Sequence, residues 1–274
     1  MKPQLLHIFR NTPFGRETLL ESSYFCKTLE TEIVVYIPRT PKFLMYFEND
    51  VVQVDLDRSY LTAPETAEAH ASEIIRSAGL EPQFFEPKDY TASTLPDIPT
   101  HFDYMCCPRS IVDLSSKIGL GYIGPRVRRI VNSAAFPVYI PNAVFKVWKS
   151  VAVLFGGSVN GVKAVRLAQK ISRLSGFPLH VFTQLEGRDT KEDFESVVKE
   201  RQIEDAMQDW TVFDAGSFAE NLYQVPHDAL VVLGAYGHGL IKQLAFGSKM
   251  ELIQGVLANS LVIVGPHCGF PTAS

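Results

Sequence analysis

Glycines and a hydroxyl residue cluster in one stretch, residues 233–250, in a pattern that suits anion binding. An apolar run typical of a buried parallel strand ends at Gly234, and Gly237 follows in the next loop. Gly247 and Ser248 then precede an apolar pattern with helical spacing. Glycine lets backbone N–H groups approach an anion closely, and a helix N-terminus adds unpaired donors and the positive end of its dipole. We therefore interpret the stretch as a phosphate-binding loop, although it is not a Walker loop, because no Gly-Lys-Ser/Thr follows the glycines.

The spacing Gly-x2-Gly-x9-Gly-Ser resembles the nucleotide-binding motif of the universal stress protein family, and residues 233–264 resemble the end of that domain. In the ATP-binding branch of the family, these positions hold the ribose and the phosphates, largely through backbone atoms. The resemblance implies that the ligand is ATP, with or without Mg²⁺. It assigns the contacts to Leu233, Gly234, Tyr236, Gly237, Gly247, Ser248, Lys249 and Met250. The alternative is that the glycines only make tight turns at the ends of a strand and a helix.

The same half of the chain departs from the family at the end of its first strand. Family members that bind ATP have an acidic residue there, whereas this chain has the turn Gly156-Gly157-Ser158. The carboxylate that would help to place the nucleoside is absent, which leaves the base selectivity open. The ends of the first two strands of this half are still expected to line the base pocket, through Leu154, Gly156, Thr183 and Gln184.

Both halves of the chain show the same alternation of apolar strand patterns and amphipathic helix patterns. This alternation predicts right-handed parallel crossovers. We expect an α/β fold with two doubly wound, Rossmann-like domains similar to the adenine nucleotide α-hydrolase type, at residues 1–144 and 145–274. Each is predicted to have a five-stranded parallel sheet in the order 3-2-1-4-5. The resemblance thus covers nearly the whole chain, as two universal stress protein domains in tandem.

The first half lacks the phosphate-binding pattern. Where the second half has Gly234 and Gly237, the first has the segment Cys107-Pro-Arg-Ser110, and Gly124 is followed by Pro125 where a serine would be expected. Side chains and a proline remove the close backbone approach that glycine allows. We predict that the first half is a degenerate copy that does not bind nucleotide.

Composition limits the partners. The 274 residues are 46% hydrophobic and 20% charged, with a net charge of −4, which is typical of a folded globular protein and argues against nucleic-acid binding by bulk electrostatics. No stretch of 18 apolar residues occurs, and the N-terminal residues lack the apolar region of a signal peptide. We expect no membrane partner and a cytoplasmic location.

Two further segments are candidates for contacts. Residues 39–61 form an insert with an alternating apolar pattern, which predicts an edge strand or hairpin that serves either as a lid on its own domain or as a partner surface. Family members often pair through their last strands, so residues 136–140 and 261–264 are expected to meet in an intramolecular pseudo-dimer, with a homodimer as the further possibility.

Three classes of function remain. The first is a nucleotide-binding protein with a regulatory or stress-response role, and the second is a nucleotide-free interaction protein with the same fold and vestigial glycines. The third, ranked last, is a slow ATP hydrolase. A hydrolase needs a base beside the phosphates, and only His238 in the glycine loop stands near them in the sequence. We expect no efficient enzyme, and at most weak ATPase activity.

Overall fold

The computed structural model describes residues 2–87, 95–109, 123–235 and 248–269, with the backbone alone for Ser248. The chain divides into two compact units, Met1–Val147 and Trp148–Ser274. In the second unit, strands alternate with helices along the chain, whereas additional strands interrupt this alternation in the first unit. The predicted α/β class with a predominantly parallel sheet is confirmed.

The first unit has five parallel strands in the order β8-β7-β1-β2-β5. They are β1 (Gln4–Ile8), β2 (Glu32–Tyr36), β5 (Gln83–Phe85), β7 (Tyr104–Cys106) and β8 (Val138–Ile140). Its helices are α1 (Pro13–Thr28), α2 (Pro64–Ser77) and α3 (Pro125–Ser133), and a 3₁₀ turn spans Arg58–Leu61.

A second, three-stranded sheet also belongs to the first unit, so the predicted count of one sheet per half is wrong. Its strands are β3 (Lys42–Tyr46), β4 (Val51–Asp55) and β6 (Asp97–Ile98), in the order β4-β3-β6. The insert provides β3 and β4, which pair antiparallel as the hairpin that its alternating pattern predicts. The alternate residues Phe43, Met45, Val52 and Val54 are at most 1% exposed. The insert therefore packs on its own unit through one apolar face. Successive side chains of a strand point to opposite faces, so burial of one face requires an apolar residue at every second position.

The second unit has five parallel strands in the order β11-β10-β9-β12-β13. They are β9 (Ser150–Leu154), β10 (Leu179–Gln184), β11 (Trp210–Phe213), β12 (Ala229–Gly234) and β13 (Leu261–Val264). Every residue of β9 and β12 is buried, because helices cover both faces of a parallel sheet, and this explains the uninterrupted apolar runs in the sequence.

The helices of the second unit begin at sequence signals that fix their positions. They are α4 (Val159–Ser175), α5 (Lys191–Glu200), α6 (Phe218–Asn221) and α7 (Ser248–Val256), with 3₁₀ turns at Glu204–Ala206 and Leu222–Gln224. Both α5 and α6 begin with a reciprocal capping box, formed by Thr190 with Asp193 and by Ser217 with Glu220. Each capping box gives hydrogen-bond partners to two backbone N–H groups that the helix itself leaves unpaired at its N-terminus. Across the described part of the chain, no helix is both long enough and apolar enough to cross a membrane.

A buried histidine makes the stability of the first unit sensitive to acid. His7 on β1 is 2% exposed, and its Nδ1 lies 2.9 Å from the Ser22 hydroxyl oxygen. Burial lowers the pKa of His7 to about 3, because the charged imidazolium would lose its hydration. The unfolded chain binds this proton below its ordinary pKa of 6.5, whereas the folded protein does not. Folding stability is therefore lost as the pH falls from about 6.5 towards 3.

We predict that a His7→Asn variant loses less stability on acidification than the wild type. Asparagine keeps a polar atom near Ser22 but cannot take up the proton. Urea unfolding at pH 7 and pH 5 should show that the wild-type loss exceeds the variant loss by about 2 kcal/mol. The same substitution at the exposed His101 is the control and should leave the wild-type loss unchanged. Equal losses in the wild type and the His7 variant would contradict the prediction.

Candidate functional site

The second unit has a cleft at the edge of its sheet where β9 and β10 end. The cleft is narrow, with a cavity volume of about 20 Å³, which is space for about one water molecule. Leu154, Thr183 and Gln184, which the sequence analysis placed in the base pocket, all line it. Gly156 follows just beyond Leu154 but is not part of the lining. Open α/β sheets bind ligands at the carboxyl ends of their strands, and this cleft is therefore the candidate site.

Phenylalanine rings form the walls of the cleft. Phe155, Phe182, Phe213 and Phe218 all line it. The rings of Phe182 and Phe213 are stacked, with centroids 6.1 Å apart and planes 4° from parallel. The fully buried Phe194 packs edge-on against Phe155, with centroids 6.0 Å apart. These contacts fix flat apolar surfaces, which favour a planar ring as the ligand.

Thr183, which lines the cleft, already uses its hydroxyl in hydrogen bonds within the protein. The Thr183 hydroxyl donates to the carbonyl oxygen of Phe155 at 3.0 Å, and it accepts from Nε1 of Trp210 at 2.9 Å. Both bonds join neighbouring strands at the cleft. This side chain therefore holds the cleft in shape, and its donor is already in use.

The amide of Gln184 is similarly engaged. Its Oε1 accepts from Nδ2 of Asn221 at 2.7 Å, and its Nε2 donates to the carbonyl oxygens of Leu185 and Phe213 at 3.2 and 3.4 Å. Asn221 also donates to the carbonyl oxygen of Ala215 at 2.8 Å. The two amides thus fasten α6 to the end of the sheet, and a ligand would have to replace these bonds in order to use Gln184.

Lys249 brings a cation to the cleft. It is the second residue of α7, it is 7% exposed, and its side chain lines the cleft. Its ammonium group forms an ion pair with the Glu186 carboxylate and lies 5.5 Å from the centroid of the Phe218 ring. The sequence analysis expected only the backbone N–H of Lys249 at the ligand. Its side-chain position was missed, because a lysine at a helix start is more often a solvated residue.

The turn between β9 and α4 directs a helix N-terminus towards the same edge of the sheet. Gly157 has φ of +70°, a conformation in which glycine avoids the steric cost of a Cβ. Ser158 then caps α4, its hydroxyl accepting from the N–H of Gly161 at 3.0 Å. Gly157 and Ser158 are therefore explained by a left-handed residue followed by an N-cap, without any ligand.

Gly234 also has a structural role. A Cβ at this position would lie 2.4 Å from the carbonyl carbon of Asn160 and 2.6 Å from the nitrogen of Gly161, both backbone atoms of α4. The neighbouring Leu233 and Met250 are fully buried. Side chains at these two positions pack in the core, so any contact with a ligand would have to come from their backbone atoms.

The remaining residues of the expected motif are not placed by the structure. Tyr236, Gly237 and Gly247 lie outside the described residues, as does His238. Ser248 begins α7, which agrees with the expectation of a hydroxyl residue at a helix start.

We predict that Gly234→Ala destabilises the protein although it adds a single methyl group. The backbone of α4 would have to move, and overpacking of this kind costs about 1–3 kcal/mol. Gly255→Ala is the matched control, because a Cβ there meets nothing within 4 Å and alanine favours the helix by about 0.5–1 kcal/mol. Thermal or urea unfolding measures both. A neutral Gly234→Ala would show that the strand and the helix do not need this close contact.

The first unit repeats the hydrogen-bond frame of this site. The N–H of Phe9 donates to the carbonyl of Tyr36 at 2.9 Å, just as the N–H of Phe155 donates to that of Phe182 at 2.8 Å. Thr12 caps α1 as Ser158 caps α4. The residue two positions before each cap is therefore equivalent, and it is Arg10 in the first unit.

Arg10 fills the position that Gly156 leaves without a side chain. It is 2% exposed, and its guanidinium carbon lies 4.7 Å from the ring centroid of Tyr60 and 5.3 Å from that of Phe14. Its Nη1 donates to the hydroxyl of Ser59 at 3.1 Å and pairs with Asp57 at 3.5 Å. A planar cation in contact with two aromatic rings thus occupies the strand end of the first unit. Sequence reasoning missed this arginine, because its aromatic partners come from the insert and from α1.

No metal centre accompanies the site in the part of the chain that the structure describes. Within those residues, no group of three or more histidine, cysteine, aspartate or glutamate side chains could hold a metal ion.

Comparisons with known proteins identify the fold. No family model and no curated protein matches the sequence. Among solved structures, a universal stress protein from Archaeoglobus fulgidus DSM 4304 matches with a TM-score of 0.62 and 15% identity, over 96% of this chain and 98% of that one. A protein provisionally named as a universal stress protein from Pseudomonas aeruginosa UCBPP-PA14 matches with 0.58 and 12%, over 97% and 94%. A protein of unknown function from P. aeruginosa PAO1 matches with 0.55 and 10%, over 97% and 93%.

The chain therefore has the fold of universal stress proteins, as the motif in the second half led us to expect. At these identities the likeness concerns the fold alone. Fold does not determine function, so the activity must be argued from the cleft.

Proposed function

We propose that the second unit binds one adenine nucleotide, ATP, and that the protein has a regulatory or stress-response role. The observation that carries the proposal is the phenylalanine-walled cleft at the carboxyl ends of the strands, bordered by the start of α7. The base would stack against the rings of the cleft, whose walls would have to move apart to admit it, because the present cavity of about 20 Å³ is smaller than a base. The phosphates would lie towards residues 236–247 and the N-terminus of α7, where helix N–H groups and the helix dipole favour an anion. Mg²⁺ would accompany the phosphates as part of the ligand.

We further propose that the two units are a tandem repeat of one nucleotide-binding architecture, of which only the second keeps its site. Three differences support this. Arg10 fills the strand end of the first unit, the segment Cys107-Pro-Arg-Ser110 replaces the glycines, and Pro125 rather than serine begins α3. Pairing between the two halves, or between two chains, stays a prediction, as does the cytoplasmic location.

The competing proposal is an interaction protein without nucleotide. Gly234 and Gly157 have packing and conformational reasons of their own, and the amide of Gln184 is bonded within the protein. Glycines that no longer serve a ligand would show the same packing and backbone conformation. Binding measurements decide between the two proposals.

We predict that isothermal titration with ATP gives one site per chain and that Phe213→Ala weakens it. Loss of a base-stacking ring typically costs about 1–3 kcal/mol, which corresponds to a roughly 5- to 150-fold rise in Kd. Phe85→Ala is the matched control, because Phe85 is a half-buried phenylalanine on β5, the edge strand of the first unit. Absence of binding would support the interaction protein. Loss of binding in the Phe85 variant, or a second equivalent site, would refute the assignment to the second unit.

We also propose that bound ATP is held and not turned over efficiently. A loop that offers N–H donors to the phosphates stabilises the ground state and the transition state alike, and uniform binding does not accelerate the chemical step. We predict steady-state ATP turnover far below the value of about 10 s⁻¹ that is typical of enzymes. A His238→Ala variant tests the one loop residue suited to act as a base. Robust turnover that this variant abolishes would make the protein an ATP hydrolase.

A further inference from the structure

The only charged side chain that lines the described part of the cleft belongs to Lys249. At 7% exposure its ammonium group has lost most of its hydration, which is unfavourable unless a partner compensates for it. The partner in the present structure is Glu186, which follows β10 by two residues. The lysine thus spans from α7 to the end of β10 across the border of the cleft.

The two members of this ion pair differ in their exposure. The side chain of Lys249 is 9% exposed, whereas that of Glu186 is 39% exposed. If the pair opened, the carboxylate would regain water at small cost, but the ammonium would remain buried and would need another anion. The pair is therefore asymmetric, and the lysine is the member that requires a replacement partner.

The position of Lys249 determines where that replacement would come from. The ammonium lies over the Phe218 ring, which is itself a wall of the cleft. Lys249 also belongs to the first turn of α7, where backbone N–H groups add to the positive potential. An anion attached to a ring inside the cleft would meet this ammonium group.

We propose that Lys249 is a specificity-determining switch, which pairs with Glu186 in the free protein and transfers to the phosphate of a bound nucleotide. The inference rests on the proposed binding of a nucleotide in the second unit, and it adds a role for this side chain beyond its backbone N–H. Lys249 then makes the site select phosphorylated nucleotides over nucleosides. Glu186 competes with the phosphate for the ammonium group and so lowers the affinity for the phosphorylated ligand.

The test compares ATP with adenosine on the full-length protein by titration calorimetry. Lys249→Met keeps an unbranched side chain of similar length on the Phe218 ring but removes the charge. We expect the Kd for ATP to rise about tenfold or more, as for the loss of a hydrogen bond to a charged group, while the Kd for adenosine stays within about twofold, because adenosine has no anion for the ammonium to bind.

Two further variants complete the experiment. Glu186→Gln removes the competing carboxylate at a half-exposed position, so it should fold normally and should lower the Kd for ATP several-fold relative to adenosine. Lys191→Met is the matched control, since Lys191 is also a lysine in the first turn of a helix of this unit and pairs with Glu195 at an exposed site. It should leave both affinities unchanged.

The outcomes separate this inference from the proposed function. If wild-type protein binds ATP but Lys249→Met leaves the ratio of the two affinities unchanged, the switch is refuted and the nucleotide site stands. A Glu186→Gln variant with unaltered preference for ATP also refutes the exchange, even if Lys249→Met does not fold. If the wild type binds neither ligand, the proposed function fails and the switch fails with it.

Discussion

The close approach of one strand end to one helix start is the constraint on which the candidate site depends. At Gly234 the backbone of β12 comes so near to the first turn of α4 that there is no space for a Cβ. The Asn160 side chain adds a hydrogen bond to the carbonyl of Ala235 at 2.5 Å. These contacts fix the direction in which the chain leaves β12 towards residues 236–247. They also hold the N-terminus of α4 at the edge where the cleft opens.

The two units share the same backbone hydrogen bonds at the end of their first strand but differ in the side chain that this backbone carries. The hydrogen bonds that end β1 and β9, and the caps that begin α1 and α4, are alike in both. At the equivalent position, however, the second unit has Gly156, which has no side chain, whereas Arg10 places a buried guanidinium near the rings of Phe14 and Tyr60 in the first. Because the buried charge needs Asp57 and Ser59 near it, the insert that carries them is part of the change. A single side chain and its partners thus give the strand end of the first unit a buried charge that the second unit lacks at this position.

The sequence predicted those features that depend on local pattern. Apolar runs predicted the buried strands, and helical spacing predicted α4 and α7. The rule that ligands bind at the carboxyl ends of strands placed Leu154 and Gln184 at the cleft. The aromatic walls were not predicted, because Phe182, Phe213 and Phe218 come from separate elements and meet only in the folded unit. The pairing of β6 with β3 and the partners of Arg10 were missed for the same reason, since a pairing between distant segments leaves no periodic trace in the chain.

The chemistry of the cleft determines what kind of selectivity it can have. Rings such as Phe182 and Phe213 recognise a flat shape through dispersion and burial, and every nucleobase offers such a face. Discrimination between base edges requires free polar groups, but Thr183 and Gln184 are bonded within the protein, and Gly156 after β9 has no side chain. Recognition of charge does not meet this obstacle, because the ammonium of Lys249 lies at the border of the same cleft. Under the proposed function, such a site would distinguish an aromatic ring with an anionic group from one without it, and it would be less suited to distinguish one base from another.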